Sequence, residues 1–300
     1  MIKKLVFIGD PDSINIEIIA KSHQNLKNKV KYILIGNIID LKKYLKKISS
    51  NLRINEIYDP IKFQNYNKEY LNTFNIDHIS KIKYKNLLNQ IFISNFLSQK
   101  SKIDLVTMPI NKSIFKKKIH FIGMTEHLGN LNKKKTHMLM HGDKFSIIPL
   151  TTHINIQEVS EYIKIKSLTT KLNLILKDLK KKIHKFKYKK IKFLCINPHC
   201  GENNTLGTED KIIKNCLLKF KYISGPYAAD SAFNKIEYGT LYISMYHDQA
   251  LIPFKIINKK SVNLTIGLEY RRISPTHGTA TDIKFKNLAD NTSYIECMKF

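Results

Sequence analysis

Three histidines of the sequence each follow a short apolar run, where a strand of a parallel sheet would end. His153 closes a TTH motif, His199 lies in NPHCGE and His247 lies in SMYHDQALIPFK, so the spacings are 46 and 48 residues. Ligands of open α/β sheets bind outside the carboxyl ends of the strands, so these side chains could converge on one ion. Neutral imidazoles suit zinc and similar divalent metals, and a three-histidine site keeps one position open for substrate. Spacing alone leaves open that they are unrelated structural histidines.

The residue after His247 is Asp248, which places a carboxylate beside an imidazole. A histidine in that position could be a metal ligand, a general base, or a packed core residue whose second nitrogen is satisfied. The pair by itself does not distinguish these roles.

The elements that must position these side chains alternate between short apolar runs and longer amphipathic stretches. The predicted strands are 5–8, 32–35, 105–108, 145–150, 193–196, 241–245 and 262–266. The predicted helices lie near 13–25, 38–48, 80–98, 156–186 and 209–220. This alternation predicts an α/β fold with a largely parallel sheet. Without a repeat or a low-complexity linker, a domain boundary is expected in ordinary loops near 110–130.

The composition is that of an ordinary globular protein, with 300 residues of which 43% are hydrophobic. The apolar stretch after the N-terminal lysines is too short for a signal peptide, and no run approaches a membrane span, which favours a soluble protein. Four cysteines without a CxxC pair indicate a reducing cytoplasm.

The formal net charge of +27 raises the possibility of nucleic-acid binding. The cations are nearly all lysines spread along the chain, which favours drift at tolerant surface positions over a polyanion-binding surface. The dense run 177–190 has helical apolar spacing and is predicted to be a solvated helix face. Arg271 and Arg272 stand out because arginine can grip a carboxylate or phosphate with two hydrogen bonds.

The usual phosphate-binding fingerprints are missing, since the chain contains neither G-x-G-x-x-G nor G-x-x-x-x-G-K-[ST]. His277 in SPTHGTATD precedes an apparent helix start that could hold an anionic group, although a capping role is equally compatible. NNTLGTED, with Thr208 as N-cap, could cradle a phosphate or simply begin a helix.

The motifs taken together resemble a known family. In chain order they are GDP, TMPINK, GMTEHLG, LTTH, NPHCGENNTLGTED, GPYAAD, SMYHDQALIPFK, VNLTIGL and SPTHGTATD. This ordered set is similar to the 4-hydroxythreonine-4-phosphate dehydrogenases of vitamin B6 biosynthesis, from residue 9 to about residue 282.

The resemblance implies an NAD- or NADP-dependent oxidation of 4-phosphooxy-L-threonine to 2-amino-3-oxo-4-phosphobutanoate, which decarboxylates to 3-amino-2-oxopropyl phosphate. It implies two α/β/α domains similar to isocitrate and isopropylmalate dehydrogenases, which bind NAD without the glycine fingerprint. The expected domains are 1–120, completed by 280–300, and 121–279. A cytoplasmic homodimer with its active site at the subunit interface is expected, without nucleic acid or membrane. The alternatives are a related dehydrogenase of another phosphorylated or carboxylated hydroxy acid, and a drifted polyanion-binding protein.

The resemblance also assigns roles to individual residues. His153, His199 and His247 correspond to the ligands of one divalent metal, with zinc expected and magnesium or cobalt as alternatives, and the ligand set is drawn from both subunits. On chemical grounds, Asp230 and Asp248 could orient these ligands or relay the proton, because a carboxylate in contact with a ligating histidine fixes its tautomer. The implied substrate contacts are Thr125, Lys255, Asn263 and Arg272.

The chain departs from the family pattern at three places. Met124 stands where the family has a substrate-contacting histidine, and a thioether cannot donate that hydrogen bond. GDPDSINIE replaces the glycine-richer GDPAGIGPE, and YHDQA replaces YHDQG.

Overall fold

The computed structural model describes residues 2–116, 118–184 and 186–300, and the chain forms two compact α/β units. The first unit comprises Met1–Lys133 and Leu268–Phe300, and the second comprises Lys134–Gly267. The domain boundaries that the sequence predicts, near residues 120 and 280, stay a prediction. Among the described residues, no helix combines the length and apolar character needed to cross a membrane.

The first unit begins with alternating strands and helices. These are β1 (Ile2–Phe7), α1 (Asn15–Leu26), β2 (Val30–Gly36), α2 (Ile38–Lys47), β3 (Ile54–Glu56), β4 (Leu71–Asn75), α3 (Lys83–Ser101), β5 (Asp104–Thr107) and α4 (Met124–Leu131).

The second unit follows along the chain. Its elements are β6 (His137–Gly142), β7 (Ser146–Pro149), α5 (Ile165–Leu179), β8 (Lys190–Leu194), α6 (Glu209–Leu217), β9 (Ile223–Tyr227), β10 (Thr240–Ser244), α7 (His247–Ile257) and β11 (Ser261–Ile266). The chain then returns to the first unit with β12 (Arg272–Ser274) and α8 (Thr292–Lys299).

The first unit's strands are arranged in the order β3-β4-β2-β1-β5-β12, and each neighbouring pair is parallel. β1 and β2 are buried over most of their length, as expected for parallel strands covered on both faces. Their side chains pack with α3 residues such as Leu87 and Ile91 in one apolar cluster.

The second unit's strands are arranged in the order β11-β6-β7-β10-β8-β9. The pairs β11–β6 and β6–β7 are antiparallel, whereas β7, β10, β8 and β9 form a parallel run. The carboxyl ends of β7, β10 and β8 therefore lie side by side at one edge. The predicted α/β class and the largely parallel sheet are confirmed.

One helix prediction was too long. The pattern over 156–186 contains a 3-10 helix at Ile156–Tyr162 and then α5, which ends at Leu179 with Lys180 as its C-cap. The lysine run 177–190 is therefore not one helix face. Apolar spacing continues past the last helical turn, but the chain there turns toward β8 and contributes a buried side chain, His184. Residue 185 of this run lies outside the described residues.

His137, the first residue of β6, makes the stability of the protein depend on pH. Burial, followed by the charges of Lys171 and Lys135, lowers its pKa to about 4, and its Nε2 has no hydrogen-bond partner among the described residues. The folded state thus binds a proton less readily than the unfolded chain. Stability from this group is complete above pH 6.5 and is lost as the pH falls toward 4, by up to about 3 kcal/mol.

We expect His137→Gln to flatten the fall in unfolding free energy between pH 6.5 and 4.5, measured by urea denaturation. The exposed His120 provides the matched control, since His120→Gln should keep the wild-type slope. An unchanged slope in His137→Gln would assign the acid sensitivity to other groups.

Candidate active site

Three loops that follow neighbouring parallel strands carry the three histidines. His153 follows β7, His247 follows β10 and begins α7, and His199 follows β8. β10 pairs with both other strands, with Ser244 opposite Pro149 and Ile243 opposite Phe193. The parallel direction of these strands brings all three loops to one edge.

His153 and His247 lie next to each other, with ring centroids 5.9 Å apart and ring planes at 41°. Two imidazoles bound to one zinc through bonds of about 2.0–2.1 Å have ring centroids roughly 5 to 6 Å apart. The observed separation therefore fits a shared ion. Both rings are partly or fully exposed, so an ion and a substrate can reach them.

Asp248 orients the ring of His247. Its Oδ1 lies 2.6 Å from Nδ1 of His247, so Nδ1 carries the proton of the neutral ring and Nε2 is the nitrogen available to a metal. A carboxylate in contact with the second nitrogen of a ligating histidine fixes the tautomer and raises ligand basicity. The adjacent pair therefore has the geometry of a metal-binding histidine with its supporting carboxylate.

His199 lies in a left-handed turn after β8. Its φ and ψ are 49° and 33°, and the next four residues also have positive φ. Non-glycine residues in this region are strained, and such strain clusters at functional sites. Within residues 2–116, 118–184 and 186–300, no group of three His, Cys, Asp or Glu side chains is arranged to hold a metal. The structure thus brings two of the three predicted ligands together, and the three-histidine site stays a prediction.

A cavity of about 680 Å³ lies beside these loops in the second unit. His199, Asp230 and Asp248 line its polar side, and Ile252 and Ile256 of α7 contribute apolar surface. Asp230 and Asp248, the carboxylates predicted to orient ligands or relay a proton, therefore line the same cavity as His199, a predicted metal ligand. The size suits a small molecule.

Lys255 and Asn263 are the other predicted substrate residues of this unit. Lys255 lies exposed in the last turn of α7, and Asn263 lies on β11. Oδ1 of Asn263 is buried and has no hydrogen-bond partner among the described residues. A buried acceptor without a partner is costly, so this atom is suited to receive a hydrogen bond from a ligand.

Thr125 and Arg272 belong to the first unit. Thr125 is buried in the first turn of α4, and Arg272 begins β12. The Arg272 side chain donates from Nε to Oγ1 of Thr107 at 2.8 Å, and burial lowers its pKa to about 10, so it remains a cation at neutral pH. Thr107 opens the TMPINK motif, so this bond connects the motif to Arg272.

The GDP motif also lies in the first unit, at the carboxyl end of β1. Gly9 has a φ of 74°, which favours glycine, and the buried Asp10 pairs with Lys83 at 2.6 Å. The motif therefore forms a tight turn and an ion pair, although GDPDSINIE is poorer in glycine than GDPAGIGPE.

A family model described as "Pyridoxal phosphate biosynthetic protein PdxA" matches residues 27–300. The chain belongs to the PdxA family. The sequence-based resemblance is thereby confirmed, and with it the link to pyridoxal phosphate biosynthesis.

Relatives of known name agree with the PdxA assignment. A 4-hydroxythreonine-4-phosphate dehydrogenase from Sulfurihydrogenibium sp. (strain YO3AOP1) is 32% identical over 316 residues, covering 100% of this chain and 97% of the relative. One from Hydrogenobaculum sp. (strain Y04AAS1) is 33% identical over 307 residues, covering 98% and 97%. The crystal structure of the Klebsiella pneumoniae enzyme of that name matches with a TM-score of 0.85 at 23% identity, covering 100% and 98%, and supports the fold.

Met124, the departure from the PdxA pattern, begins α4 and packs against the apolar cluster of the first unit. His127, one turn later, lies with its ring centroid 5.0 Å from that of Phe121, and burial lowers its pKa. It is therefore a neutral imidazole three residues along the chain from Met124.

Sequence reasoning did not identify two side chains that bond to the backbone of the histidine-bearing segments after β10 and β8. Gln249 and Asp210 each bond to the backbone of a segment distant in the chain. Their positions inside the YHDQ and NNTLGTED motifs were the available signal. Thr208 does occupy the N-cap position of α6, but its side chain makes no capping bond.

Proposed function

We propose that this protein is an NAD(P)-dependent 4-hydroxythreonine-4-phosphate dehydrogenase. It oxidises 4-phosphooxy-L-threonine to 2-amino-3-oxo-4-phosphobutanoate, which loses carbon dioxide to give 3-amino-2-oxopropyl phosphate. The names of the PdxA relatives support this activity. The structural observation that carries the proposal is the pair His153 and His247, 5.9 Å apart at adjoining strand ends.

The proposed metal ligands are His153, His199 and His247, and zinc is the expected ion. A bound divalent cation supplies Lewis-acid polarisation of the substrate hydroxyl. Asp248 holds Nδ1 of His247, so the ring presents Nε2 in a set orientation. Asp230 and Asp248 lie at the cavity, where either carboxylate can accept the proton of the hydroxyl. A homodimer, in which a partner subunit completes the ligand set, is part of the proposal.

The proposed substrate contacts are cations and hydrogen-bonding groups that suit a phosphate, a carboxylate and an amine. Lys255 and Arg272 provide positive charge, because phosphate and carboxylate form their strongest hydrogen bonds with cationic donors. Asn263 offers its buried Oδ1, which has no hydrogen-bond partner in the part of the chain that the structure describes, and Thr125 is the remaining proposed contact. A cytoplasmic location is supported by cysteines that are all free.

The direct test is NADH or NADPH formation, followed at 340 nm, with 4-phosphooxy-L-threonine as substrate and with or without a chelator. We expect formation that the chelator abolishes and added zinc restores. Absence of reduced cofactor with every divalent metal tried would refute the proposed activity.

Replacing Met124 with histidine should improve the reaction. Losing one hydrogen bond costs about 0.5 to 1.5 kcal/mol, so Met124→His should raise kcat/KM on 4-phosphooxy-L-threonine by roughly threefold to tenfold. The measurement is initial rates across substrate concentration for both proteins. If Met124→His brings no gain while His127→Ala removes activity, His127 already supplies the donor.

A further inference from the structure

We propose that Gln249, Thr151 and Asp210 are positioning residues that hold the three histidine-bearing segments in register. This inference rests on the proposed function, because the register of these segments matters to metal only if their histidines are ligands, each ion taking its set from both subunits of the proposed homodimer. None of the three side chains is among the residues assigned above to metal or substrate. Their role follows from hydrogen bonds that connect backbone segments beyond the ends of β7, β10 and β8.

Gln249 connects the segment after β10 with the segment after β8. Its Oε1 accepts from the backbone N–H of Met245 at 2.8 Å, and its Nε2 donates to the carbonyl of Cys195 at 2.7 Å. Met245 and Cys195 are both fully buried, so neither backbone group can turn to water instead. One amide side chain therefore fixes the distance between the His247 and His199 segments.

Thr151 connects the segment after β7 with the same Met245. Its Oγ1 donates to the carbonyl of Met245 at 2.6 Å, and its backbone N–H donates to the same oxygen at 3.0 Å. Both polar groups of the Met245 backbone are thus occupied, the N–H by Gln249 and the carbonyl by Thr151. The chain of bonds runs from β7 through β10 to β8 without a gap.

Asp210 secures the third segment. Its Oδ1 accepts from the backbone N–H of Ile196 at 2.8 Å, and its Oδ2 accepts from that of Asn197 at 3.0 Å. Asp210 is buried in the first turn of α6, so it fixes the start of the strained NPH turn to a rigid helix.

The backbone positions that these hydrogen bonds hold have the same separation along the chain from each of the three histidines. Thr151, Met245 and Asn197 each lie two residues before a predicted ligand, namely His153, His247 and His199. Between β7 and β10, two backbone bonds continue past the last paired residues, from Leu150 to Ser244 and from Thr151 to Met245. The side-chain bonds of Thr151, Gln249 and Asp210 add further connections close to where the ligands begin. Ligand sets must be held within about 0.5 Å, so loss of such a bond should weaken metal binding.

The test measures metal binding by the full-length protein rather than turnover. Zn²⁺ and Co²⁺ affinities are obtained by competition with a chromophoric chelator, and the visible absorption of bound Co²⁺ reports its coordination geometry. We expect Gln249→Met, which keeps the length of the side chain but makes neither bond, to weaken affinity about 10- to 100-fold and to alter the Co²⁺ spectrum. Thr151→Val should do the same, whereas Thr151→Ser keeps the hydroxyl and should bind within about threefold of wild type.

Two controls separate positioning from general stability. Gln99→Met makes the same replacement at an exposed position of α3 and should leave affinity unchanged. Thermal unfolding of each metal-free variant sets a temperature at which all are folded, and affinities are compared there. If Gln249 and Thr151 only stabilise the fold, their variants should unfold at a lower temperature but keep the metal affinity and the Co²⁺ spectrum of wild type. If Gln249→Met does not fold, the Thr151→Val and Thr151→Ser pair decides.

The experiment distinguishes failure of the positioning role from failure of the proposed metal site. If wild type binds Co²⁺ and His247→Ala abolishes binding, but Gln249→Met and Thr151→Val bind as wild type does, the positioning inference is overturned and the proposed metal site stands. If wild type binds neither Zn²⁺ nor Co²⁺, the proposed metal site is overturned together with the inference.

Discussion

His247→Ala should lower turnover of 4-phosphooxy-L-threonine by about 1000-fold. Activation of a substrate oxygen by a bound cation contributes several kcal/mol, and each 1.4 kcal/mol is a factor of ten in rate. The variant removes the ring that Asp248 orients and that lies beside His153. Steady-state rates at saturating substrate and cofactor measure the effect, and the metal content of the purified variant should fall in parallel.

His78→Ala is the matched control for this prediction. His78 belongs to the first unit, where its Nε2 lies 2.9 Å from Asp40 at a partly exposed position. Its removal should leave the rate within about twofold of wild type. A His247→Ala variant that keeps more than one tenth of the wild-type rate would show that His247 is not a ligand of a catalytic metal.

Arg272→Lys should lower kcat/KM by roughly 10- to 100-fold. Hydrogen bonds to charged groups contribute about 1.5–3 kcal/mol, and lysine cannot reproduce the planar two-point contact of a guanidinium. The side chain is buried and held by Thr107, so a shorter ammonium cannot reach the same position without disturbing its surroundings. Initial rates over a range of 4-phosphooxy-L-threonine concentrations measure the effect, and we expect most of it in KM.

The neighbouring arginine supplies the comparison. Arg271 makes two bonds to Asp104, from Nε at 3.0 Å and from Nη2 at 2.6 Å, and Asp104 also pairs with Lys4. Arg271→Lys should therefore reduce thermal stability and leave kcat/KM nearly unchanged. If the two variants lost the same catalytic efficiency, Arg272 would have no specific role in substrate binding.

The buried parallel strands could be predicted because a strand that is buried on both faces consists of consecutive apolar residues. β1, β2 and β10 lie within a few residues of the predicted runs. The three-residue strands β3 and β12 are too short to form a recognisable apolar run. Whether such a short segment becomes a strand depends on the neighbouring strand with which it pairs. α4 and α7 were missed because the motifs that carry the chemistry, GMTEHLG and YHDQALIPFK, obscure the helical period.

The candidate site was partly predictable for a similar reason. Polar motifs directly after apolar runs identified the strand ends, and the identities of His153, His199 and His247 indicated metal chemistry. The sequence could not indicate that β10 lies between β7 and β8, because strand order depends on how helices pack against the sheet. It also could not indicate that Gln249 bonds to Cys195, 54 residues away, since a hydrogen bond at that separation exists only after the strands have assembled.

The sequence alone therefore determined the fold class, the family resemblance and the chemical types of the candidate ligands, because these depend on local periodicity and on residue identity. Only the tertiary structure decided which strand ends are neighbours and that His153 and His247 lie 5.9 Å apart. It also decided that Met245 is held from both sides by Gln249 and Thr151. Distances between side chains remote in the chain follow from strand order and register, and those are set by packing and backbone pairing over the whole unit.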